Sequence, residues 1–194
     1  MNAAIAVLII IVLFVVGFGG IYIYYNGLPS IGPQPTSGLN ITPQPVEFVD
    51  TERGYSIYSP AGWTKDIAVS RSLGLRVMFV GPQFGDFITN VNVGTGYVSE
   101  GGVDQFANSG PQDPFVKDYK LVSYKTVTIG NQAAKEVVYT ANINNYKSKS
   151  KQVFVPKGDT MYIIAYVALG ENYDQFLPLT QKSIDSFRVS QPAL

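Results

Sequence analysis

The first 25 residues restrict the fold of this chain more than any other stretch, because they contain no charged side chain. At about 1.5 Å per residue, a helix from Ala3 to Tyr25 would cross the ~30 Å hydrocarbon core of a bilayer. Such a helix satisfies its backbone hydrogen bonds internally. We therefore predict a transmembrane anchor at residues 1–25, to which we assign in particular Ala3, Ile10, Phe14, Gly17, Gly20, Tyr22, Tyr24 and Tyr25.

A cleaved signal peptide and a pilin-like assembly helix are two other interpretations of this apolar run. A cleaved signal peptide would use Gly17 as a small residue before the cut, but the run has no basic leader and continues through Ile21 and Ile23. A pilin-like assembly helix would need a basic cleavage site and an early glutamate, and the run has neither. A retained anchor is the interpretation that the run favours.

A spacer follows the predicted anchor at residues 26–45. It carries five prolines among glycines and small polar residues, a composition that keeps a chain extended and semi-rigid. At about 3.1 Å per residue it would hold a domain up to about 60 Å from the bilayer. Asn40-Ile41-Thr42 matches the acceptor pattern for N-glycosylation. This segment predicts a stalk.

The remaining chain, residues 46–190, predicts one α+β domain. Alternating apolar and polar residues from Lys135 to Ile143 predict a strand with one buried face, and the apolar run from Met161 to Leu169 predicts a central strand covered on both faces. A further strand from Leu75 is expected to end at Gly81-Pro82. Apolar residues at three- and four-residue spacing between Tyr173 and Phe187 predict an amphipathic helix. The pattern indicates an antiparallel sheet with helices packed on it.

Composition excludes several kinds of chemistry. The chain has neither cysteine nor histidine, so Ser-His and Cys-His nucleophiles, thiolate sites and histidine-bound metals are ruled out. Ser148-Lys149-Ser150-Lys151 has the S-x-x-K spacing, but in a strand its two ends point to opposite faces. With 14 basic and 14 acidic residues, the chain is a poor candidate for nucleic acid. We predict a protein that is not an enzyme and has no cofactor.

Two features predict interaction surfaces. Lys147, Lys149 and Lys151 alternate, so in a strand they form one basic stripe. Lysines protect the edge of a sheet against pairing, which is the interpretation we favour, and they also bind acidic partners or anionic headgroups. The second feature is the turn around Phe84 and Asp86 with its neighbouring aromatic residues, which either bind a partner or fill the core.

Four features in this order resemble the PsbP-like family, named for an extrinsic subunit of the photosynthetic oxygen-evolving complex. They are Gly54 to Pro60 with Gly62-Trp63, the strand Asn90 to Val93, the hairpin Lys135 to Ala168, and a closing helix with Ser183-Ile184-Asp185-Ser186-Phe187. The resemblance covers Val46 to Val189. It implies an α/β/α sandwich on a central antiparallel sheet, of a kind used as an accessory, assembly or binding module. A membrane-anchored prokaryotic relative is the nearest comparison.

Together these features predict a single-pass membrane protein that presents its domain outside the cytoplasm. Lack of cysteine, the Pro/Ser/Thr spacer and the tyrosine-rich strands favour that orientation. Membrane lipid and a protein partner are expected, whereas no small ligand is identified. We predict an accessory or assembly subunit of a membrane or envelope complex. The alternatives are a pilin-like or surface-layer subunit and a module that binds a small ligand or lipid.

Overall fold

The computed structural model describes residues 43–67, 70, 74–97, 101–113 and 115–190. The predicted anchor at residues 1–25, most of the spacer and Asn40 therefore lie outside the described residues. Within the described part of the chain, no helix combines the length and the apolar character needed to cross a bilayer.

The described elements alternate strands with two helices. In chain order they are β1 (Glu47–Asp50), β2 (Tyr55–Tyr58), β3 (Thr64–Lys65), β4 (Val77–Phe84), β5 (Phe87–Gly96), α1 (Gly102–Ser109), β6 (Val116–Ile129), β7 (Gln132–Ile143), β8 (Tyr146–Lys157), β9 (Thr160–Leu169), α2 (Tyr173–Asp185) and β10 (Arg188–Val189). Seven of these strands form one sheet in the order β3-β4-β5-β9-β8-β7-β6, and every pairing is antiparallel. The predicted α+β class with a central antiparallel sheet is confirmed.

Strand β9 is the centre of the large sheet and is buried on both faces, as its apolar sequence predicted. Ile163, Ala165 and Val167 pack in one cluster with Phe106 of α1. Ile164, Tyr166 and Ala168 pack in a second cluster with residues of β2 and α2. One helix thus covers each face of the sheet, so that two hydrophobic cores are built from alternate residues of the same strands.

A second sheet of three strands, β1-β2-β10, lies beside α2. Two serines at the end of α2 attach the helix to β2: the Ser183 hydroxyl donates to the Tyr58 carbonyl at 2.5 Å, and the Tyr58 amide donates to the Ser186 hydroxyl at 2.9 Å. Phe187 then enters the core between Tyr55 and Tyr162, with ring centroids 5.4 Å and 5.6 Å away. The motif Ser183 to Phe187 therefore has a structural role.

Strand β4 does not end at Gly81-Pro82, contrary to the sequence-based expectation. It passes through both residues to Phe84, with a register shift against β5 between Val80 and Gln83. A bulge lets a strand accept a proline, because the residues in it are released from regular pairing. Gly81 also makes room for a neighbour, since a Cβ atom there would lie 2.5 Å from Cε2 of the Trp63 ring.

We expect Gly81→Ala to lower the free energy of unfolding by about 1–3 kcal/mol through overpacking against Trp63. The fluorescence of Trp63, the single tryptophan of the chain, should shift at the same time. Gly170→Ala is the matched control, because its Cβ would meet only the Lys147 carbonyl at an ordinary 3.6 Å. Urea unfolding and emission spectra that are the same for both variants would contradict this expectation.

Candidate interaction surface

The predicted lysine stripe lies in β8, on the face of the sheet that α2 covers. Lys147, Lys149 and Lys151 alternate there with Ser148 and Ser150, whose side chains are buried on the opposite face. The Ser148 hydroxyl donates to the Ala141 carbonyl at 2.9 Å. The S-x-x-K pattern is thus divided between two faces, which rules out a shared site for its serine and lysine.

The interpretation of these lysines as edge protection is wrong, because β8 pairs with β7 on one side and β9 on the other. The outermost described strand on that side is β6. It carries Lys117, Lys120 and Lys125 and has two register shifts against β7, within Lys117–Lys120 and Leu121–Ser123. Lysines and bulges both discourage edge-to-edge pairing. Edge protection by lysines is therefore a property of β6 and not of β8.

Lys151 belongs to an ion-pair cluster around Glu136 of β7. The Glu136 carboxylate lies 3.2 Å from Lys151 Nζ and 3.2 Å from Lys125 Nζ. Lys151 also donates to Gln181 Oε1 of α2 at 2.6 Å. Lys151 and Glu136 are buried, whereas the Lys125 side chain is 59% exposed. A buried ammonium needs such a partner, so these contacts give Lys151 a structural role.

Lys149 is held at the start of α2. Its Nζ lies 3.1 Å from Asp174 Oδ1 and 4.2 Å from the centroid of the Tyr173 ring. Burial raises the pKa of Tyr173 well above its usual range, and the negative charges of Glu136 and Asp174 raise it further. Tyr173 therefore stays neutral and offers the ammonium a ring face. Because Asp174 is 78% exposed, the ion pair itself is open to solvent.

The strand register extends the stripe across three strands. Thr140 of β7 lies directly between Lys120 of β6 and Lys149 of β8. In the same way, Asn142 lies directly between Lys117 and Lys147. Directly opposite residues of antiparallel strands share a face. We call the resulting surface the lysine face; its members are Lys117, Lys120, Lys125, Lys147, Lys149 and Lys151.

The β6 half of this surface is not visible in the spacing of its lysines. Lys117 and Lys120 are three residues apart, so strict alternation would put them on opposite faces. The bulge between them inserts one extra residue, which returns both to the same face. Positive φ at Asp118 is a local sign of this bulge that the sequence does not display.

The second predicted surface, at Phe84 and Asp86, lies at the β4–β5 hairpin. Phe79 and Phe87 on either side are buried, as the alternative interpretation held, and Phe84 is half-buried with its ring 6.3 Å from that of Phe176 in α2. Asp86 is exposed in the turn. The hairpin belongs to strands on the other side of β9 from β8. The sheet order thus separates these two residues from the lysines of β6 and β8.

Asp50 and Glu52, at the turn between β1 and β2, form ion pairs with Arg76. Arg76 Nε lies 3.0 Å from Asp50 Oδ2, and its Nη2 lies 2.8 Å from Glu52 Oε2. Among the described residues, no three acidic, histidine or cysteine side chains are placed to hold a metal ion. The ion pairs with Arg76 thus give the carboxylates of Asp50 and Glu52 a structural role.

Comparison with known proteins gives a family-model match over part of the chain and a fold. Residues 104–189 match the family model described as PsbP-like protein. The solution structure of cyanobacterial PsbP (CyanoP) from Synechocystis sp. PCC 6803 is similar, with a TM-score of 0.56 and 15% identity over 81% of this chain and 99% of that one. LpqN of Mycobacterium tuberculosis, involved in cell envelope biogenesis, has a TM-score of 0.55 and 11% identity over 76% and 91%. No curated protein matches the sequence. At these identities the two structures establish the fold alone.

Proposed function

We propose that this chain, whose residues 104–189 match the PsbP-like family model, is a non-enzymatic accessory or assembly subunit of a larger membrane or envelope complex. The observation that carries this proposal is the lysine face, in which the exposed Lys117, Lys120 and Lys147 come from two strands and lie on one face of the sheet. Clustered charge of one sign steers and orients the association of proteins. The partner would present an acidic surface.

We further propose that residues 1–25 anchor the protein in a membrane, residues 26–45 form the stalk and residues 46–190 form a domain outside the cytoplasm. The uncharged run and the proline-rich spacer support this arrangement. The fold shared with LpqN, a protein involved in cell envelope biogenesis, is consistent with it. Anchoring would raise the local concentration of the lysine face at the membrane, so a modest affinity suffices.

A role without catalysis is supported by the residue types of the chain. Histidine and cysteine are absent from the sequence. The strongly buried tyrosines pack in the core; burial raises the pKa of Tyr139 to about 12, and its hydroxyl accepts a hydrogen bond from Gln152. Such a tyrosine stays protonated at neutral pH and serves packing. Binding is the activity that these side chains support.

The test is co-purification of the full-length chain from native membranes in a mild nonionic detergent. We expect a stoichiometric partner that dissociates in high salt and is lost from Lys117→Gln/Lys120→Gln, because both exposed ammonium groups then vanish. Lys135→Gln is the control, since Lys135 is an exposed lysine of β7 on the opposite face. A clean monomer at native abundance, or filaments assembled through the N-terminal segment, would contradict the proposal.

A further inference from the structure

We propose that the lysine face binds an extended acidic segment of the partner, with carboxylates at alternate residues. This inference rests on the proposed function, because it names the part of the partner that the subunit holds. The site consists of the two rows Lys120–Thr140–Lys149 and Lys117–Asn142–Lys147. Each row would take one carboxylate between its two lysines.

The contrast with Glu136 shows why these rows are open to an outside anion. At Glu136, strand β7 supplies its own carboxylate to a lysine on each side, 3.2 Å from both. Further along the same face of β7, the residues opposite Lys120 and Lys117 are the neutral Thr140 and Asn142. Lys117, Lys120 and Lys147 are exposed beside these positions, whereas Lys149 pairs with Asp174 and the Asn142 amide donates to Asp118. The four lysines still outnumber the two aspartates, so an added carboxylate would stabilise the surface.

The shape of this surface is a trough. Thr140 and Asn142 have short, half-buried side chains, whereas the lysines on both sides are long and three of the four are exposed. Neighbouring strands lie about 4.8 Å apart, so the two lysine columns are about 10 Å apart and the two rows about 7 Å apart along the strands. The polar groups of Thr140 and Asn142 form the floor.

An extended chain fits these dimensions. Its alternate side chains lie on one face about 7 Å apart, which equals the spacing of the two rows. A helix is about 10–12 Å wide with its side chains and is too wide to enter between the lysine columns. The trough thus selects a strand-like segment with acidic residues two positions apart.

Carboxylates at the rim favour a narrow ligand over an anionic membrane. Asp174 pairs with Lys149 on the α2 side, and Asp118 accepts from the Asn142 amide on the β6 side. Both aspartates are exposed, so a flat anionic surface would meet them together with the lysines. A single extended segment would contact the exposed Lys117, Lys120 and Lys147 and would replace Asp118 as the acceptor of the Asn142 amide. The exposed Lys149–Asp174 pair is weak enough to be shared with the ligand.

The test measures binding of two labelled peptides to the full-length chain in nonionic detergent by fluorescence anisotropy. One peptide alternates glutamate and threonine over eight residues. The other has the same composition as Glu-Glu-Thr-Thr repeated twice, so that no two of its glutamates are two positions apart. We expect the alternating peptide to bind at least about fivefold more tightly, with both affinities falling as salt rises. Equal affinities for the two peptides would overturn the proposal.

Thr140→Glu is the decisive variant, because its carboxylate would occupy the space between Lys120 and Lys149. We expect the alternating peptide to bind at least about tenfold more weakly to this variant, while thermal unfolding occurs at the same or a higher temperature. Lys135→Gln, on the opposite face, should bind the peptide like the parent chain. Unchanged binding by Thr140→Glu would overturn the proposal.

Two further outcomes separate this inference from the proposed function. If a co-purified partner is retained by Thr140→Glu, the accessory role stands and the trough is not its site. If the alternating peptide binds but no partner co-purifies, the trough is supported and the accessory role fails. A third outcome is that phosphatidylglycerol vesicles bind the parent chain but not Thr140→Glu, while the peptide does not bind. The acidic segment would then be overturned as the ligand of the trough, and an anionic lipid surface would take its place.

Discussion

Replacing Glu136 by alanine is expected to lower the free energy of unfolding by about 3–5 kcal/mol, one of the two largest effects we predict for a single change. The reason is Lys151, which is 7% exposed and loses the carboxylate 3.2 Å from its ammonium group. The Gln181 oxygen remains within 2.6 Å, so the effect should fall toward the lower end of that range. Urea unfolding of the full-length chain, followed by circular dichroism, measures it.

Two comparisons test the cause of this loss. Lys125→Gln removes the other ion pair of Glu136, but from a side chain that is 59% exposed, and should cost no more than about 1 kcal/mol. Glu136→Leu/Lys151→Met removes both buried charges and should recover most of the stability of the parent chain. If Glu136→Ala costs no more than Lys125→Gln, burial of Lys151 is not what makes Glu136 important.

Phe187→Ala is expected to lower the free energy of unfolding by about 3–5 kcal/mol, since it opens a cavity at a fully buried position. Phe187 follows α2 and packs between Tyr55 of the small sheet and Tyr162 of the large sheet. Loss of its ring therefore weakens the contact between the two sheets. The same urea unfolding experiment measures the change.

A matched control is Phe187→Leu, which keeps an apolar side chain, leaves a smaller cavity than alanine and should therefore cost less than Phe187→Ala. In Phe187→Ala, hydrogen exchange should also become faster in β2, because the hydrogen bonds of Ser183 and Ser186 to Tyr58 depend on the position of the end of α2. Equal stability of the alanine and leucine variants would contradict a packing role for the ring.

Local periodicity predicted much of the fold. The apolar run of β9 and the alternation of β7 gave the right element types, and the alternation assigned Val137, Tyr139 and Ala141 to one face, where they share a core. The small sheet was not anticipated as a separate sheet, because β10 has two residues and pairs with β2 across more than a hundred positions. A strand that short carries no periodic signal.

The predicted site was recovered in part. Alternation placed Lys147, Lys149 and Lys151 on one face, and the structure agrees. It could not tell that β8 lies inside the sheet, because strand order depends on contacts between distant segments. The interaction role of these lysines, and of Phe84 and Asp86, stays a prediction. The transmembrane anchor and the glycosylation pattern at Asn40 also stay predictions.

The sequence by itself determined the residue types available for chemistry and indicated the α+β class, because composition and periodicity are local properties. The PsbP-like resemblance rests on four motifs in a fixed order. The tertiary structure decided which charges are neighbours. The register of β6, β7 and β8 places Glu136 between Lys125 and Lys151, with which it forms ion pairs. The same register places the neutral Thr140 and Asn142 between the other lysines. A bulge of one residue changes that register, and only pairing with the neighbouring strand reveals it.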